Sequence, residues 1–549
     1  MTLFPYPINE KYSTKTAYFS MEFAIHQSLK IYSGGLGFLA GSHMHSAYDL
    51  RQHLVGVGIL WKYGYYDQAK NEDQTLAVQY TIKQYSFLKD TGVKVSVQVF
   101  GKDVWVKAYL LEAGTFKSAP ILLLSTDLHE NDYLSQTITN HLYDPNEHTR
   151  IAQSIVLGVG GAKVLEALQY HTDIYHINEA HALPVAYYLY EKLNSWEQVK
   201  NQLVFTTHTP EKAGNESHSI DLLRQATFFQ HAHWDEAIGK GVVYGGMFDY
   251  TLAALRMSKK ANAVSKIHGD VSRAMWSSYE GICPIDHITN SQHVGFWTDK
   301  ILLQAYHENN MEKFRERKLE LKEKLFEEIA DQEGDLLSLN VLTIVWARRF
   351  AGYKRPDLIL RRYERFIHLV NRLEMPIQFI WAGKPYPKDQ AAIDLFNEIK
   401  RMTKELSRVA ILVGYELRLS KLLKQGADLW LNNPRFSREA SGTSGMTAAM
   451  NGTINLSNSD GWINEFVRQN ENIFLMRHAE PGTPIHEMDD LDAEYLFEIL
   501  ENEVIPTYYH NQQKWGEMQF AGMHDVMKDF NSDRMADEYY EKMYNAPIL

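Results

Sequence analysis

Arg348-Arg349-Phe350-Ala351-Gly352-Tyr353-Lys354-Arg355 puts four cations into eight residues, directly behind the apolar run 341–347. Positive charge gathered at the carboxyl end of a buried strand is unfavourable unless an anion compensates it. A phosphate or diphosphate is the natural partner; a surface charge cluster is the alternative. Further on, Glu439-Ala440-Ser441-Gly442-Thr443-Ser444-Gly445-Met446 surrounds one acid with small residues and hydroxyls. A carboxylate accepts from two sugar hydroxyls, and peptide N–H groups and hydroxyls hold phosphate. The segment therefore suits a polyhydroxylated ligand as well as it suits a plain loop.

Two other places carry chemical options. In Tyr32-Ser33-Gly34-Gly35-Leu36-Gly37, three glycines stand before a helix-like stretch, 38–50. A helix N-terminus favours negative charge, and glycines let backbone N–H groups approach it closely. A tight turn needing positive φ is the other account. His208, in Thr206-Thr207-His208-Thr209-Pro210, ends an apolar strand and suits a general base, a ligand or a structural role. A second glycine cluster, 158–161, lies within an apolar helical pattern and fits close helix packing.

Other chemistries find no support. No His-Glu-x-x-His or Cys/His spacing occurs, which argues against a dedicated metal site, and no Gly-x-Ser-x-Gly elbow occurs. Cys283 is the one cysteine, so an intramolecular disulfide is impossible and a cytosolic protein is expected. No basic and apolar leader and no apolar run of about 18 residues is visible, so neither export nor a membrane span is expected. The net charge of -12 disfavours nucleic acid and anionic membranes as partners. Aromatics make up 12% of the chain, which is compatible with stacking on sugar faces, although core packing accounts for most of them.

These groups need a scaffold. From residue 341, apolar β-branched runs alternate with helical patterns: strands at 341–347, 377–382, 409–413 and 428–431, helices at 356–373, 388–406 and 416–424. That alternation predicts βαβ units around a parallel sheet. The first 300 residues are less regular but also α/β, with strands at 16–19, 104–111, 121–125, 174–177 and 203–207 and a clear helix at 152–168. A charged run at 313–331 reads as a solvated amphipathic helix joining two domains. The expected organisation is an N-terminal domain at 1–300, a helical linker at 301–340, a second domain at 341–520 and a helical tail at 521–549. Ligands of parallel sheets bind outside the strands' carboxyl ends.

Taken in order, several segments resemble the α-glucan phosphorylase family, in its shorter branch. They include Ser20-Met21-Glu22-Phe23, residues 31–41, Tyr63-Gly64-Tyr65-Tyr66-Asp67-Gln68, Tyr175-His176-Ile177-Asn178-Glu179-Ala180-His181, residues 205–210, Ile288-Thr289-Asn290, residues 347–355 and residues 428–461. The resemblance spans roughly residues 16–465. It implies the GT-B fold, two Rossmann-like domains facing each other across an active-site cleft, with the last helix returning to the first domain. It also implies retaining glucosyl transfer between phosphate and the non-reducing end of an α-1,4-glucan, as in glycogen metabolism. On this resemblance Gly34, Gly35 and Gly37 support the substrate phosphate. Arg349 and Lys354 are its binding cations, Arg348 is a further basic residue, and Tyr415 lies near the cofactor phosphate. Glu439, Ser441 and Gly442 take sugar hydroxyls, Asn290 contacts sugar, and the carbonyl of His208 faces the reacting carbon.

One position departs. The family's loop carries a lysine that forms a Schiff base with pyridoxal phosphate, and Thr447 stands there. Covalent attachment is therefore not expected. A nucleotide diphosphate or loosely bound pyridoxal phosphate remains compatible with the pocket. The expected partners are an α-glucan or oligosaccharide acceptor and a sugar phosphate or nucleotide-sugar donor; a homodimer would match many relatives. Two further readings stand beside the phosphorylase: a nucleotide-sugar-dependent enzyme resembling glycogen synthase, and a carbohydrate-binding homologue without catalysis.

Overall fold

A computed structural model describes residues 3–547 except 233 and 243, so residues 1–2 and 548–549 of the expected end segments lie outside it. The chain forms two compact units. Unit 1 holds Met1–Tyr65, Tyr80–His293 and Ser532–Leu549, and unit 2 holds Tyr66–Gln79 and Val294–Asn531.

The large sheet of unit 1 is built from β1 (Thr16–Phe19), β2 (Leu54–Ile59), β3 (Lys89–Val99), β4 (Lys102–Leu111), β5 (Ile121–Ser125), β6 (Ile174–Asn178), β7 (Leu203–Thr206), β8 (Lys260–Ala263) and β9 (Ile285–His287). Their spatial order is β9-β8-β7-β6-β1-β2-β5-β4-β3. From β9 to β5 the pairings are parallel, and β4 and β3 add an antiparallel edge. Strands β1, β2, β5, β6 and β7 are buried along their whole length, which is why they are mostly apolar rather than alternating. The helix Gly35–Asp49 joins β1 to β2. The stretch expected as one helix at 152–168 is helix Glu147–Ile155, a π-turn Val156–Gly160 and helix Gly161–Ala167. A Cβ at Gly158 would lie 2.6 Å from the Ala182 carbonyl oxygen, so this glycine does serve close packing. The chain's last segment packs on the same unit: the Ser532 and Ser46 hydroxyls lie 2.6 Å apart, and the Tyr544 hydroxyl is 2.7 Å from His176 Nδ1.

Unit 2 is built on β10 (Leu342–Ala347), β11 (Ile377–Ala382), β12 (Val409–Leu412), β13 (Leu429–Asn432), β14 (Ile454–Ser457) and β15 (Ile473–Leu475). All pairings are parallel, in the order β12-β11-β10-β13-β14-β15. This is a doubly wound sheet. Its order reverses at β10, which is flanked by β11 on one side and β13 on the other. The loops after β10 and β13 leave the sheet at that switch point, where such folds bind ligands.

Two features of unit 2 run against surface expectation. Helix Met311–Glu333 lies within the unit, with Phe314, Lys318, Leu321, Lys322, Leu325, Phe326 and Ile329 buried. Lys318 Nζ donates to the carbonyls of Gln425 (2.6 Å) and Ala427 (2.9 Å), at the end of helix Leu417–Gly426, and Lys322 Nζ reaches Asp428 at 2.7 Å. The Lys318 amine satisfies helix-end carbonyls that would otherwise be orphaned, while burial lowers its pKa to about 7. The second feature is the hairpin Asp67–Lys70/Leu76–Gln79. Gln68 accepts from the amides of Gly414 and Tyr415 (3.0 and 3.2 Å) and donates to the Gly383 carbonyl (2.8 Å). Among the described residues no helix is long and apolar enough to cross a membrane.

Candidate active site

In unit 2, three side chains from the switch-point loops meet. Arg348 follows β10 directly and its Nη2 donates to Glu439 Oε2 at 2.8 Å; Lys354 Nζ donates to Glu439 Oε1 at 2.7 Å. All three are buried. Lys354 reaches the site from a single 3-10 turn, Gly352–Lys354, and Glu439 from the loop after β13. Burial pushes the Glu439 carboxyl upward, but the charges of Arg348 and Lys354 outweigh it and hold the group at about 2. Glu439 is therefore ionised at neutral pH.

The ion cluster is not saturated. Arg348 Nη1 is buried and has no hydrogen-bond partner among the described residues, and the same holds for the hydroxyls of Ser441 and Ser444. Buried donors are normally paired, so an orphaned guanidinium nitrogen fits an anionic oxygen ligand. Of the two arginines offered by the sequence, it is Arg348 that enters this cluster; Arg349 is exposed. Gly442 has φ +87 and abuts the Glu439 side chain, and its Cβ would lie 3.6 Å from Arg348 Nη2. The Tyr415 hydroxyl, after β12, donates to the Ala347 carbonyl at 3.2 Å, and burial raises its pKa.

The turn after β11 shapes the cluster from behind. A Cβ at Gly383, where φ is +154, would sit 1.9 Å from the Arg348 carbonyl oxygen. Gly383→Ala should therefore displace the Arg348 backbone and cost about 1–3 kcal/mol. Urea denaturation of the variant measures this, and an unchanged midpoint would show that the close approach is dispensable.

In unit 1 the glycine turn 34–37 opens helix Gly35–Asp49. None of its glycines has positive φ, so the tight-turn account is set aside. A Cβ on Gly34 or Gly35 would meet nothing within 4 Å, whereas one on Gly37 would lie 2.7 Å from the Glu22 carboxylate. Glu22 Oε2 accepts from the amides of Ser33 (2.6 Å) and Gly34 (3.2 Å), and the Tyr143 hydroxyl donates to Oε1 at 2.6 Å. Glu22 thus shapes the turn and leaves the outer faces of Gly34 and Gly35 open.

Also in unit 1, His208 Nε2 lies 2.7 Å from Asn178 Oδ1. The Asn178 amide nitrogen donates to Ser20 Oγ (3.3 Å), so its Oδ1 is the acceptor and His208 carries its proton on Nε2. Burial, with the neighbouring His268 and His181, lowers His208 to about 3 and keeps it neutral. Glu179 accepts from the His208 amide, sits at φ +61, and is raised by burial to about 7. Asn290 is buried, and its Oδ1 has no hydrogen-bond partner among the described residues.

Asp460 lies in the stretch 428–461 that carries the resemblance, but the sequence assigns it no role. Its Oδ2 accepts from the amides of Arg438 and Glu439 (3.1 Å each) and its Oδ1 from that of Gly461 (2.9 Å). An Asp-Gly pair after a strand gives no local sign of the amides that it binds.

The fit of pyridoxal phosphate divides in two. A phosphate suits the orphaned Arg348 nitrogen, but Thr447 offers no amine: it is buried and its Oγ1 donates to the Ser444 carbonyl at 3.0 Å. The nearby amines belong to helix Leu417–Gly426, with Lys421 Nζ 3.4 Å from the Phe296 ring and Lys424 Nζ 4.1 Å from that of Trp297. No group of three or more metal-ligating side chains occurs among the described residues.

The carbohydrate phosphorylase family model matches residues 298–481. An uncharacterised protein of Methanocaldococcus jannaschii is 46% identical over 530 residues, which cover 96% of this chain and 99% of that one. The maltodextrin phosphorylase of Thermococcus litoralis is 33% identical, over 98% of this chain and 71% of its own. The glycogen phosphorylase of Aquifex aeolicus is 31% identical, over 98% and 87%. With phosphorylases more than 30% identical over 98% of its length, the chain belongs to the carbohydrate phosphorylase family.

Proposed function

We propose that this chain transfers glucosyl units between phosphate and the end of an α-1,4-glucan, with retention of configuration and without covalently held pyridoxal phosphate. The observation that carries this reading is the buried Arg348–Glu439–Lys354 cluster at the switch point, with one guanidinium nitrogen unpaired. Arg348 and Lys354 would take the phosphate oxygens and stabilise the negative charge that grows on them as the bond to the sugar breaks. Glu439, held ionised, would accept from sugar hydroxyls and orient the ring, with Ser441 and Gly442 beside it. Arg349 and Tyr415 are proposed to contribute to the phosphate side, and Asn290 and His208 to the sugar side. Neutral His208, protonated on Nε2, is suited to hydrogen bonding rather than to supplying a charge. The open faces of Gly34 and Gly35 suit a phosphate as well.

Thr447 favours a second reading, in which a nucleotide diphosphate supplies the phosphates and the donor is a nucleotide sugar. Scanning calorimetry separates the two. The phosphorylase reading expects inorganic phosphate with a maltodextrin to raise the melting temperature, and UDP, ADP and GDP to do little more than phosphate alone. A large stabilisation by one nucleotide would overturn it, because a ligand bound at a hundred times its Kd adds about 2.7 kcal/mol. Binding of glucan without transfer from any donor would instead mark a non-catalytic homologue.

A further inference from the structure

Glu439 is fixed from two sides, and only one of them survives when a ligand arrives. Its carboxylate is held by Arg348 and Lys354, which in the proposed function turn toward a bound phosphate. Its backbone is held by Asp460 through two amides, those of Arg438 and Glu439 itself. The two loops interlock further: the Trp462 amide donates to the Ser441 carbonyl at 3.0 Å, and a Cβ at Gly461, φ +58, would lie 2.3 Å from that carbonyl oxygen. Residues 438–442 belong to no helix or strand, so no regular hydrogen-bond ladder holds them.

We propose that Asp460 is the positioning residue that keeps Glu439 in register for the sugar once Arg348 and Lys354 engage an anion. This rests on the assignment of Arg348 and Lys354 to phosphate and of Glu439 to sugar hydroxyls. Three amide donors on a 2% exposed carboxyl are a built arrangement, and they bind an ionised acceptor more strongly than a neutral one. The groups facing Asp460 are the Glu439 carboxylate, with Arg348 and Lys354 beyond it, and the three amides. Burial, then the Glu439 charge, raises Asp460 to about 7. Its hold on the loop should therefore tighten as pH rises through neutrality, and a bound anion should make the sugar site more dependent on it.

The test uses sulfate, whose charge is constant across this range, and maltopentaose, with the full-length protein and its Asp460→Asn variant. Calorimetric titration of maltopentaose with sulfate present should show affinity rising several-fold from pH 6 to pH 8 in the wild type. In Asp460→Asn affinity should be at least tenfold weaker and flat with pH, with sulfate binding unchanged. Equal affinity and the same pH profile in both proteins would overturn the proposal while leaving the site assignment standing. A wild type that binds neither probe overturns the site assignment, and the proposal with it. If Asp460→Asn does not fold, the wild-type profile decides: an affinity flat from pH 6 to pH 8 overturns the role of Asp460.

Discussion

Replacing Glu439 with Gln should destabilise the protein by about 3–5 kcal/mol, abolish oligosaccharide binding and tighten sulfate binding at least tenfold. Removing one member of a buried ion cluster leaves the rest uncompensated, and here two cations would be left facing a neutral amide. An added anion supplies the missing charge. Much of the lost stability should therefore return in sulfate, an effect absent from a variant that had merely lost packing. The loss should also depend on pH with a definite sign. Glu439 is depressed from 4.5 to about 2, so its contribution is fully present above pH 4.5 and fades as pH falls toward 2. The stability gap between wild type and Glu439→Gln should close over that window. Asp460, raised from 3.8 to about 7, works the other way: its burial costs stability as pH climbs between those values. Denaturation curves from pH 2 to pH 8, with and without sulfate, read all three effects. A gap that stays constant with pH, or is unaffected by sulfate, would remove Glu439 from the centre of the site.

The second large effect is a gain. Thr447→Lys should confer uptake of pyridoxal phosphate, seen as near-ultraviolet absorption and as a borohydride-stable adduct at position 447, while the wild type should show neither. Thr447 is buried on the short helix Ser444–Ala449, which also carries Ser444, whose hydroxyl has no hydrogen-bond partner among the described residues. An amine placed there would join the groups that the proposed function assigns to phosphate. A stoichiometric adduct in the wild type at Lys421 or Lys424 would show that the attachment point has moved rather than vanished. Both amines lie against aromatic rings, and burial lowers Lys421 to about 8.

How far the sequence alone reaches follows from where its signals are local. Strands 16–19, 121–125 and 377–382 coincide with the folded elements because each is a short, mostly apolar run of strand length. The anion-seeking stretch 348–355 and the acid loop at 439 were legible from charge and residue size. What was not legible depends on long-range pairing. Adjacent arginines after a strand differ only in which way they leave the sheet, so residue type alone does not separate Arg348 from Arg349; the resemblance gave the phosphate to Arg349, whereas it is Arg348 that is buried against Glu439. Lys318 and Lys322 read as solvated because nothing local announces the carbonyls and the Asp428 carboxylate that receive them. The 66–79 hairpin carries no mark of its membership in unit 2, which comes from Gln68 and from Leu76 in that unit's core. Within 356–373, the 3-10 turn Leu358–Arg362 ahead of helix Tyr363–Asn371 shortens what periodicity reads as one helix.

The central claim is that Arg348 and Lys354 exist to hold a phosphate leaving from, or arriving at, a glucosyl carbon. Phosphorus NMR of the protein incubated with maltopentaose and inorganic phosphate tests it most directly. The account expects an α-glucose 1-phosphate signal to grow with the wild type and to be absent with Lys354→Ala. A wild type that forms no sugar phosphate, or a Lys354→Ala variant that forms it at an undiminished rate, would contradict it.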